Sequence, residues 1–330
     1  MRRIRVAQIG TSVYSHGNEI FGTMKKYPER FDIVGYALPE GERQRFPQKM
    51  KAFEGYPEMS VEEILADKSI EAVVIETEEV YLTQYALMAA RAGKHIHMEK
   101  PGGVSLENFE ELIETVKKNK TVFHTGYMYR YNPAIKSIME RVKNGEIGEI
   151  VSVEAQMGGF RGEEQTRFLE AFPGGMMFFL GCHLIDLVLQ FQGMPKSINA
   201  FNKSSGRYET DAKDFSIAFF EYDRGVSFVK TTQAEMGGFS RRQLVVTGTK
   251  GKFEVRPLER SIKYPLQYTE YIECMSEDWD DCGKLIRTEE HDRYEAMLFA
   301  FAEMVRGEKE NPYTYDYELS LFKTILKCCE

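Results

Sequence analysis

The sequence of 330 residues is poor in cysteine, and its five cysteines are not spaced for a metal site. They are odd in number and include no C-x-x-C pair, so we expect neither a disulfide framework nor a zinc centre. Thiols that stay reduced are typical of a reducing compartment. We therefore expect a cytoplasmic protein.

An excess of basic residues is also absent. Lys and Arg total 43 against 51 Asp and Glu, which gives a formal charge of −8. A general nucleic-acid binder needs a basic surface that replaces the counterions of phosphate. The balance of charge therefore argues against nucleic acid as a partner.

The sequence has no long apolar run free of ionisable residues. Its most apolar stretch, residues 174–191, carries His183 and Asp186 in its middle, which a membrane span rarely tolerates. Arg2 and Arg3 precede a short strand-like run rather than the apolar region of an export signal. We expect no membrane partner and no export.

Hydrophobic residues make up 42% and charged residues 28%, which is typical of a globular chain with an ordinary core. Strand-like runs alternate with helical patterns over the first 125 residues, at 4–9, 33–38, 72–76, 95–98 and 122–125. This alternation predicts βαβ units and a doubly wound parallel sheet over residues 1–125.

The pattern changes in residues 126–330. Longer strand-like runs with hairpin-like turns, such as DRG at 223–225, favour an α+β domain around a mainly antiparallel sheet. Two further helices are expected at 292–305, with Asp292 as the cap of the first, and at 317–327. The chain length also fits two domains.

The turn after the first strand reads GTSVYSHG at residues 10–17. The dinucleotide fingerprint G-x-G-x-x-G uses glycines so that the backbone can approach a pyrophosphate at a helix N-terminus. Only Gly10 keeps its place here, while Ser12 and Ser15 stand at the second and third glycine positions. A cofactor loop and a plain tight turn are equally compatible with this motif.

The acidic residue that holds ribose hydroxyls is missing at the end of the second strand, where Leu38 stands. Glu40 or Glu42 could substitute for it, and Arg43 could accept a 2′-phosphate. A solvated charged loop explains the same residues. The sequence therefore does not choose between NAD(H) and NADP(H).

Two features are candidates for proton transfer. Lys100 follows a buried parallel strand, where an open α/β sheet binds its ligands, and burial would lower its pKa. His183 and Asp186 are three residues apart on one predicted helix, so the carboxylate could orient the imidazole. The glycines Gly174 and Gly175 before this helix would allow close approach to a ligand. A surface lysine and a core histidine are the structural alternatives.

Four stretches together resemble the Gfo/Idh/MocA family, named for glucose–fructose oxidoreductase and inositol dehydrogenase. They are AGKHIHMEKP at 92–101, GYMYRYNP at 126–133, GEIGEI at 145–150 and GGMMFFLGCHLID at 174–186. Their order and spacing extend over both halves of the chain, which makes the resemblance specific.

The resemblance implies a Rossmann domain that binds a nicotinamide cofactor and a C-terminal domain whose open sheet makes homodimer or homotetramer contacts. It implies NAD(P)-dependent chemistry on a polyhydroxylated small molecule, a sugar or cyclitol. Lys100 matches the lysine of the family's Glu-Lys-Pro motif, which contacts substrate and cofactor, and Glu99 and Pro101 match its flanks. His183 matches the catalytic histidine, and Asp186 is a candidate partner for it. The cofactor-binding positions are Gly10, Thr11, Ser12, Thr77, Glu99, Lys100 and Pro101.

The sequence also departs from the family pattern. Phe179 stands where the family places Asp, one helical turn before the histidine, and Leu82 replaces another histidine. The family's Thr-Pro-Asn reads Thr77-Glu78-Glu79, which adds two carboxylates near the cofactor edge. These departures leave a second hypothesis open, a member of the same fold that binds cofactor or ligand without turnover.

Overall fold

The computed structural model describes residues 2–330 and divides them into two compact units. The first unit contains the residues up to Tyr127 together with Tyr294–Phe322, and the second contains Met128–Arg293 and Lys323–Glu330. Among residues 2–330, every helix is too short or too polar to span a bilayer.

The first unit is built on a parallel sheet with the strand order β2-β1-β3-β4-β5. Its strands are β1 (Ile4–Ile9), β2 (Phe31–Ala37), β3 (Ala72–Ile75), β4 (His95–Met98) and β5 (Phe123–Thr125). The helices between them are α1 (Gly17–Lys26), α2 (Glu42–Arg45), α3 (Val61–Ala66), α4 (Leu82–Arg91) and α5 (Leu106–Asn119). The predicted doubly wound α/β architecture is confirmed.

This strand order fixes where a ligand can bind. The direction of winding reverses between β1 and β3, and open α/β sheets bind ligands in the crevice at the carboxyl ends of such strands. All four residues of β3 are buried, as a strand covered on both faces requires. Ser60 and Glu63 form a capping box at the start of α3.

The second unit contains an eight-stranded sheet with the order β15-β14-β11-β10-β6-β9-β8-β7. Its strands are β6 (Ile150–Gly158), β7 (Ser197–Lys203), β8 (Phe215–Glu221), β9 (Val226–Thr232), β10 (Gln243–Gly248), β11 (Lys252–Val255), β14 (Glu270–Cys274) and β15 (Lys284–Arg287). The pairs are antiparallel except for β6 with β9, which is parallel. The mainly antiparallel sheet is confirmed.

Three short strands form a separate sheet that the sequence patterns did not predict. They are β12 (Arg260–Lys263), β13 (Leu266–Tyr268) and β16 (His291–Asp292). Asp292 therefore pairs with Leu266 in a strand, and the expectation that it caps a helix was wrong. The helix begins instead at Glu295, without a side-chain cap.

The remaining helices are α6 (Pro133–Lys143), α7 (Glu163–Phe168), α8 (Cys182–Gln192), α9 (Glu295–Val305) and α10 (Tyr315–Cys329). Asn132 caps α6 by accepting the N–H groups of Ala134 and Ile135, with Pro133 at the first helical position as expected.

Helix α9 belongs to the first unit, whereas the sequence placed all of 126–330 in the second domain. Helix α9 joins the first unit because it is apolar around most of its circumference and packs its aromatic residues against residues of that unit. Phe299 meets Tyr27 edge-on at 4.7 Å, and Phe301 lies against the rings of His97 and His124. Glu295 accepts from Lys26 and from the Tyr27 hydroxyl.

Candidate functional site

The turn between β1 and α1 needs glycine at its first position. Gly10 has φ +88°, and a Cβ there would lie 2.4 Å from Thr77 Cγ2, the side chain that follows β3. Gly10 thus lets β1 and β3 end side by side. The structure brings the predicted positions Gly10, Thr11 and Thr77 together at this edge.

The two serines that replace glycines stabilise the turn through their hydroxyls. The N–H of Ser12 donates to Ser15 Oγ and the N–H of Ser15 donates to Ser12 Oγ, each at 3.0 Å. The N–H groups of Tyr14 and Gly17 also donate to these hydroxyls. The serines therefore shape the loop by side-chain bonds where the fingerprint relies on glycine.

Of the candidates after β2, Glu42 is the one that reaches the β1 loop. Its Oε2 accepts the Thr11 N–H at 3.0 Å, and the residue is 1% exposed. Burial raises the pKa of the Glu42 carboxyl to about 8, against the opposing effect of the Thr11 N–H. Exposed Glu40 instead accepts the Tyr85 hydroxyl at 2.6 Å, and Arg43 pairs with Glu58 and with the Tyr36 hydroxyl.

Lys100 and Glu99 lie buried just beyond β4, in the Glu-Lys-Pro motif. Glu99 Oε1 accepts the Lys100 N–H at 3.0 Å and lies 3.8 Å from Lys100 Nζ. The peptide bond to buried Pro101 is cis. An ammonium group at this edge of a parallel sheet can hold or donate a proton to a bound oxygen.

The two carboxylates after Thr77 differ in environment. Glu78 pairs with Arg45 at 2.7 Å, whereas Glu79 is 1% exposed and its Oε2 accepts no hydrogen bond from the described residues 2–330. Burial raises the pKa of Glu79 to about 7, and the positive charge of Lys100 opposes that rise. Glu79 can therefore exchange a proton near neutral pH.

A buried polar cluster at the ends of β3, β4 and β5 was not found from the sequence. Glu76 lies 4.0 Å from His97 Nε2, and His97 Nδ1 lies 2.7 Å from His124 Nδ1. Burial, followed by the Glu99 and Glu19 carboxylates, raises the pKa of Glu76, and burial lowers the pKa of His97 to about 3. His97 is thus neutral at neutral pH, and burial favours the protonated form of Glu76. The signal that could have found it is that His97 and His124 each lie within a predicted buried strand, β4 and β5, which pair in the sheet.

His183 lies buried in α8, directly after a π-helical turn over Met177–Gly181. The ring of Tyr129 packs edge-to-face against the imidazole with centroids 5.4 Å apart. Tyr129 is anchored because its hydroxyl donates to the buried Glu259 at 3.2 Å. Phe179, where the family has a carboxylate, packs with Phe168 and Phe172.

Asp186 is engaged by Arg130 and Gln190. Arg130 Nη2 donates to Oδ1 at 2.7 Å and Nε donates to Oδ2 at 3.0 Å, while Gln190 Nε2 donates to Oδ2 at 2.6 Å. These contacts give Asp186 a structural role, and the expectation that it also orients His183 stays a prediction. Asp186 fixes Arg130.

The glycines before α8 accommodate the chain's own backbone. A Cβ at Gly174 would lie 2.7 Å from Cys329 Cα, and one at Gly175 would lie 2.3 Å from the Lys213 carbonyl oxygen. Both have positive φ. The close approach that we expected from these glycines is to residues of the second unit itself. No cluster of three metal-ligating side chains was found among residues 2–330.

Family models match both halves of the chain. Residues 4–127 match the model described as the oxidoreductase family, NAD-binding Rossmann fold, and residues 135–254 match the GFO/IDH/MocA C-terminal domain. Fold and motifs together define a two-part member of an oxidoreductase family with a Rossmann fold. The chain belongs to the Gfo/Idh/MocA family.

Curated relatives agree with this assignment, and solved structures share the fold. The chain is 29% identical over 205 residues to an uncharacterized oxidoreductase of Schizosaccharomyces pombe, covering 59% of this chain and 54% of that protein. It is 26% identical over 272 residues to the scyllo-inositol 2-dehydrogenase (NAD(+)) of Bacillus subtilis, covering 78% and 74%. Several curated relatives are matched over only 54 to 62% of their own length. An oxidoreductase from Thermotoga maritima has the same fold, with a TM-score of 0.81, 19% identity and coverage of 100% and 96%.

Proposed function

We propose that this protein is an NAD(P)-dependent oxidoreductase that transfers hydride between nicotinamide and a sugar, cyclitol or related hydroxy compound. The observation that carries the proposal is a buried lysine, Lys100, at the carboxyl end of β4 in a domain that matches an NAD-binding Rossmann model. The relative from B. subtilis, named as a scyllo-inositol dehydrogenase, supports the substrate class.

The residues present fit a dinucleotide. Glu42 Oε1 is buried and receives no hydrogen bond from residues 2–330, so it can accept one from a ligand hydroxyl. Gly10 keeps the end of β1 close to Thr77 at this edge of the sheet. Gly10, Thr11, Ser12 and Thr77 would hold the cofactor at this edge.

The chain's own side chains handle the proton. A bound nicotinamide would supply the hydride acceptor or donor. Lys100 holds and polarises the reacting oxygen through its ammonium group, and His183 accepts or returns the hydroxyl proton. Glu99 orients the Lys100 backbone through its N–H. Glu99 and Pro101 shape the nicotinamide side of this loop.

A second candidate function is binding without turnover. It is favoured by Phe179, which stands where the family has a carboxylate. The Phe179 ring stacks on Phe172 and meets Phe168 edge-on. His183 then lacks the usual acid one turn before it. The two functions differ in whether a reduced cofactor forms when substrate is present.

We also propose a homodimer or homotetramer that works in the cytoplasm. Phe201 and Phe219, 52% and 37% exposed, lie on strands β7 and β8 of the open sheet and would be covered by a second copy. All five cysteines are free thiols, and Cys282 is exposed. Sedimentation at micromolar concentration tests the assembly, because a monomer there contradicts it. Cell fractionation tests the compartment.

The function is tested by titrating the purified protein with NADH and NADPH and then following nicotinamide absorbance with a panel of polyols. We expect Lys100→Ala to lose at least about 100-fold in turnover while the variant still folds, as circular dichroism would show. Exposed Lys118 provides the control, Lys118→Ala, which should keep full activity. Saturable nucleotide binding without turnover on any polyol would favour the second candidate function.

A further inference from the structure

The acidic side chain that contacts the β1 loop is offset from its usual place. Leu38 stands at the end of β2, and Glu42, four residues later, is brought back to the loop by the turn through Gly41, which has φ +68°. Its Oε2 accepts the Thr11 N–H at 3.0 Å. One oxygen of this carboxyl is thus used to fix the loop.

The other oxygen of Glu42 is available to a ligand. Oε1 is buried, and no donor among residues 2–330 reaches it. A buried acceptor without a donor is costly, and a hydroxyl group of a ligand would remove that cost. The vicinal hydroxyls of a ribose are donors of this kind.

The surroundings of Glu42 disfavour a phosphate on that ribose. The two cations of α2 are already paired, Arg43 with Glu58 and Arg45 with Glu78 at 2.7 Å. A 2′-phosphate would have to break one of these pairs to gain a cation, and it would approach a carboxyl group. An arginine without such a partner would favour NADP(H), because it could bind the 2′-phosphate.

A cavity of about 400 Å³ at the end of β2 fits the adjoining base. Its lining includes the apolar side chains of Leu38, Pro39 and Met88 together with Glu58 and Glu62. Apolar walls suit a purine ring, and two carboxylates in the lining disfavour a phosphate. Charge and shape at this strand end therefore agree with the unpaired oxygen of Glu42.

We infer that Glu42 binds the hydroxyls of the adenosine ribose and makes the protein select NAD(H) over NADP(H). This inference rests on the proposed function, because it assigns one residue to the cofactor that the function requires. Glu42 is a specificity-determining residue here, and Thr11 positions it through the loop N–H. Glu40, held by the Tyr85 hydroxyl, has no part in the selection.

Direct binding tests the inference without any need for turnover. The full chain is titrated with NADH and with NADPH, following nucleotide fluorescence. At pH 9, where the Glu42 carboxyl is mostly charged, we expect wild type to bind NADH at least about tenfold more tightly than NADPH, and Glu42→Gln to lose most of that preference. Glu40→Gln, in the same segment, should keep the wild-type ratio. Equal affinities in wild type, or an unchanged ratio in Glu42→Gln, would overturn the inference.

A pH series gives a second readout that needs no stable variant. The charged groups that face Glu42 are the carboxylates of Glu40 and Glu78 and the guanidinium of Arg45. The Glu42 carboxyl gains its full charge only above about pH 8. The ratio of the NADPH to the NADH dissociation constant should therefore rise between pH 7 and pH 9. A flat or falling ratio would contradict the inference and leave the proposed function intact. Failure of both nucleotides to bind would overturn the proposed function as well.

Discussion

Asp186 holds the guanidinium group of Arg130 in a two-pronged ion pair, with Nη2 to Oδ1 at 2.7 Å and Nε to Oδ2 at 3.0 Å. Both side chains are almost fully buried in the second unit. The pair ties α8, which carries His183, to the short helical segment Met128–Tyr131 that carries Tyr129. The pair thus fixes α8 against the segment that carries Tyr129, whose ring packs on His183.

Asp186→Asn should destabilise the protein by about 3–5 kcal/mol, because it leaves a buried guanidinium without its counter-charge. Urea unfolding followed by circular dichroism measures the loss. The double variant Asp186→Asn with Arg130→Met should recover part of it, since the uncompensated charge is removed. A single variant as stable as wild type would contradict a structural role for the pair.

Glu79→Gln should change how stability depends on pH. Burial raises the pKa of Glu79 from 4.5 to about 7, so between these values the folded protein holds a proton that the unfolded chain has lost. Glu79 therefore contributes a fall of about 2–3 kcal/mol to the free energy of unfolding of wild type as pH rises from 5 to 8. Glu79→Gln should lack this fall.

The control for that experiment is Glu78→Gln, since Glu78 is the neighbouring carboxylate that pairs with Arg45. This variant keeps Glu79, so the fall in stability that Glu79 contributes should remain. Chemical denaturation at pH 5, 6, 7 and 8 gives the slopes. If Glu79→Gln and wild type lose stability in parallel, Glu79 does not hold a proton in the folded state near neutral pH.

Local signals in the sequence were enough for much of the fold. The bounds of β1 and β4 match the predicted runs, because buried strands carry their pattern within a few adjacent residues. The three-stranded sheet was missed because its strands have two to four residues and are largely half-exposed or exposed. Such short runs show no clear alternation.

The site was harder to predict because its decisive contacts join distant residues. Thr11 and Glu42 are 31 positions apart, and Arg130 and Asp186 are 56 apart. Spacing along α8 placed Asp186 near His183 but could not show that an arginine from another element would bind its carboxylate. In the same way, the sequence does not distinguish Glu40 from Glu42. In the structure, the turn at Gly41 places only Glu42 against the loop that follows β1.

Gly10→Ala should be strongly destabilising and should weaken nucleotide binding. The added Cβ would lie 2.4 Å from Thr77 Cγ2 and 2.7 Å from the Thr77 backbone nitrogen, at a φ that alanine rarely adopts. Thermal unfolding and NADH titration measure both effects. In the same region Gly22 offers a matched control, because it is an exposed glycine within α1 with no atom within 4 Å of an added Cβ.

Gly22→Ala should raise stability by about 0.5–1 kcal/mol, since alanine is the better helix former and meets no obstacle there. Nucleotide affinity should stay at the wild-type value. The two variants add the same methyl group on either side of the turn. Equal effects would mean that the crowding at Gly10 does not matter for the loop.

Tyr129 should matter to turnover through its ring more than through its hydroxyl. The ring packs against His183, while Glu259, which accepts the hydroxyl, is also held by Arg293 at 3.0 Å. Tyr129→Phe keeps the ring, so we expect its kcat to stay within about twofold of wild type. Tyr129→Leu removes an edge-to-face contact of about 0.5–1.5 kcal/mol, so kcat should fall about 2–10-fold with little change in KM. Equal losses in both variants would instead assign the effect to the hydrogen bond with Glu259.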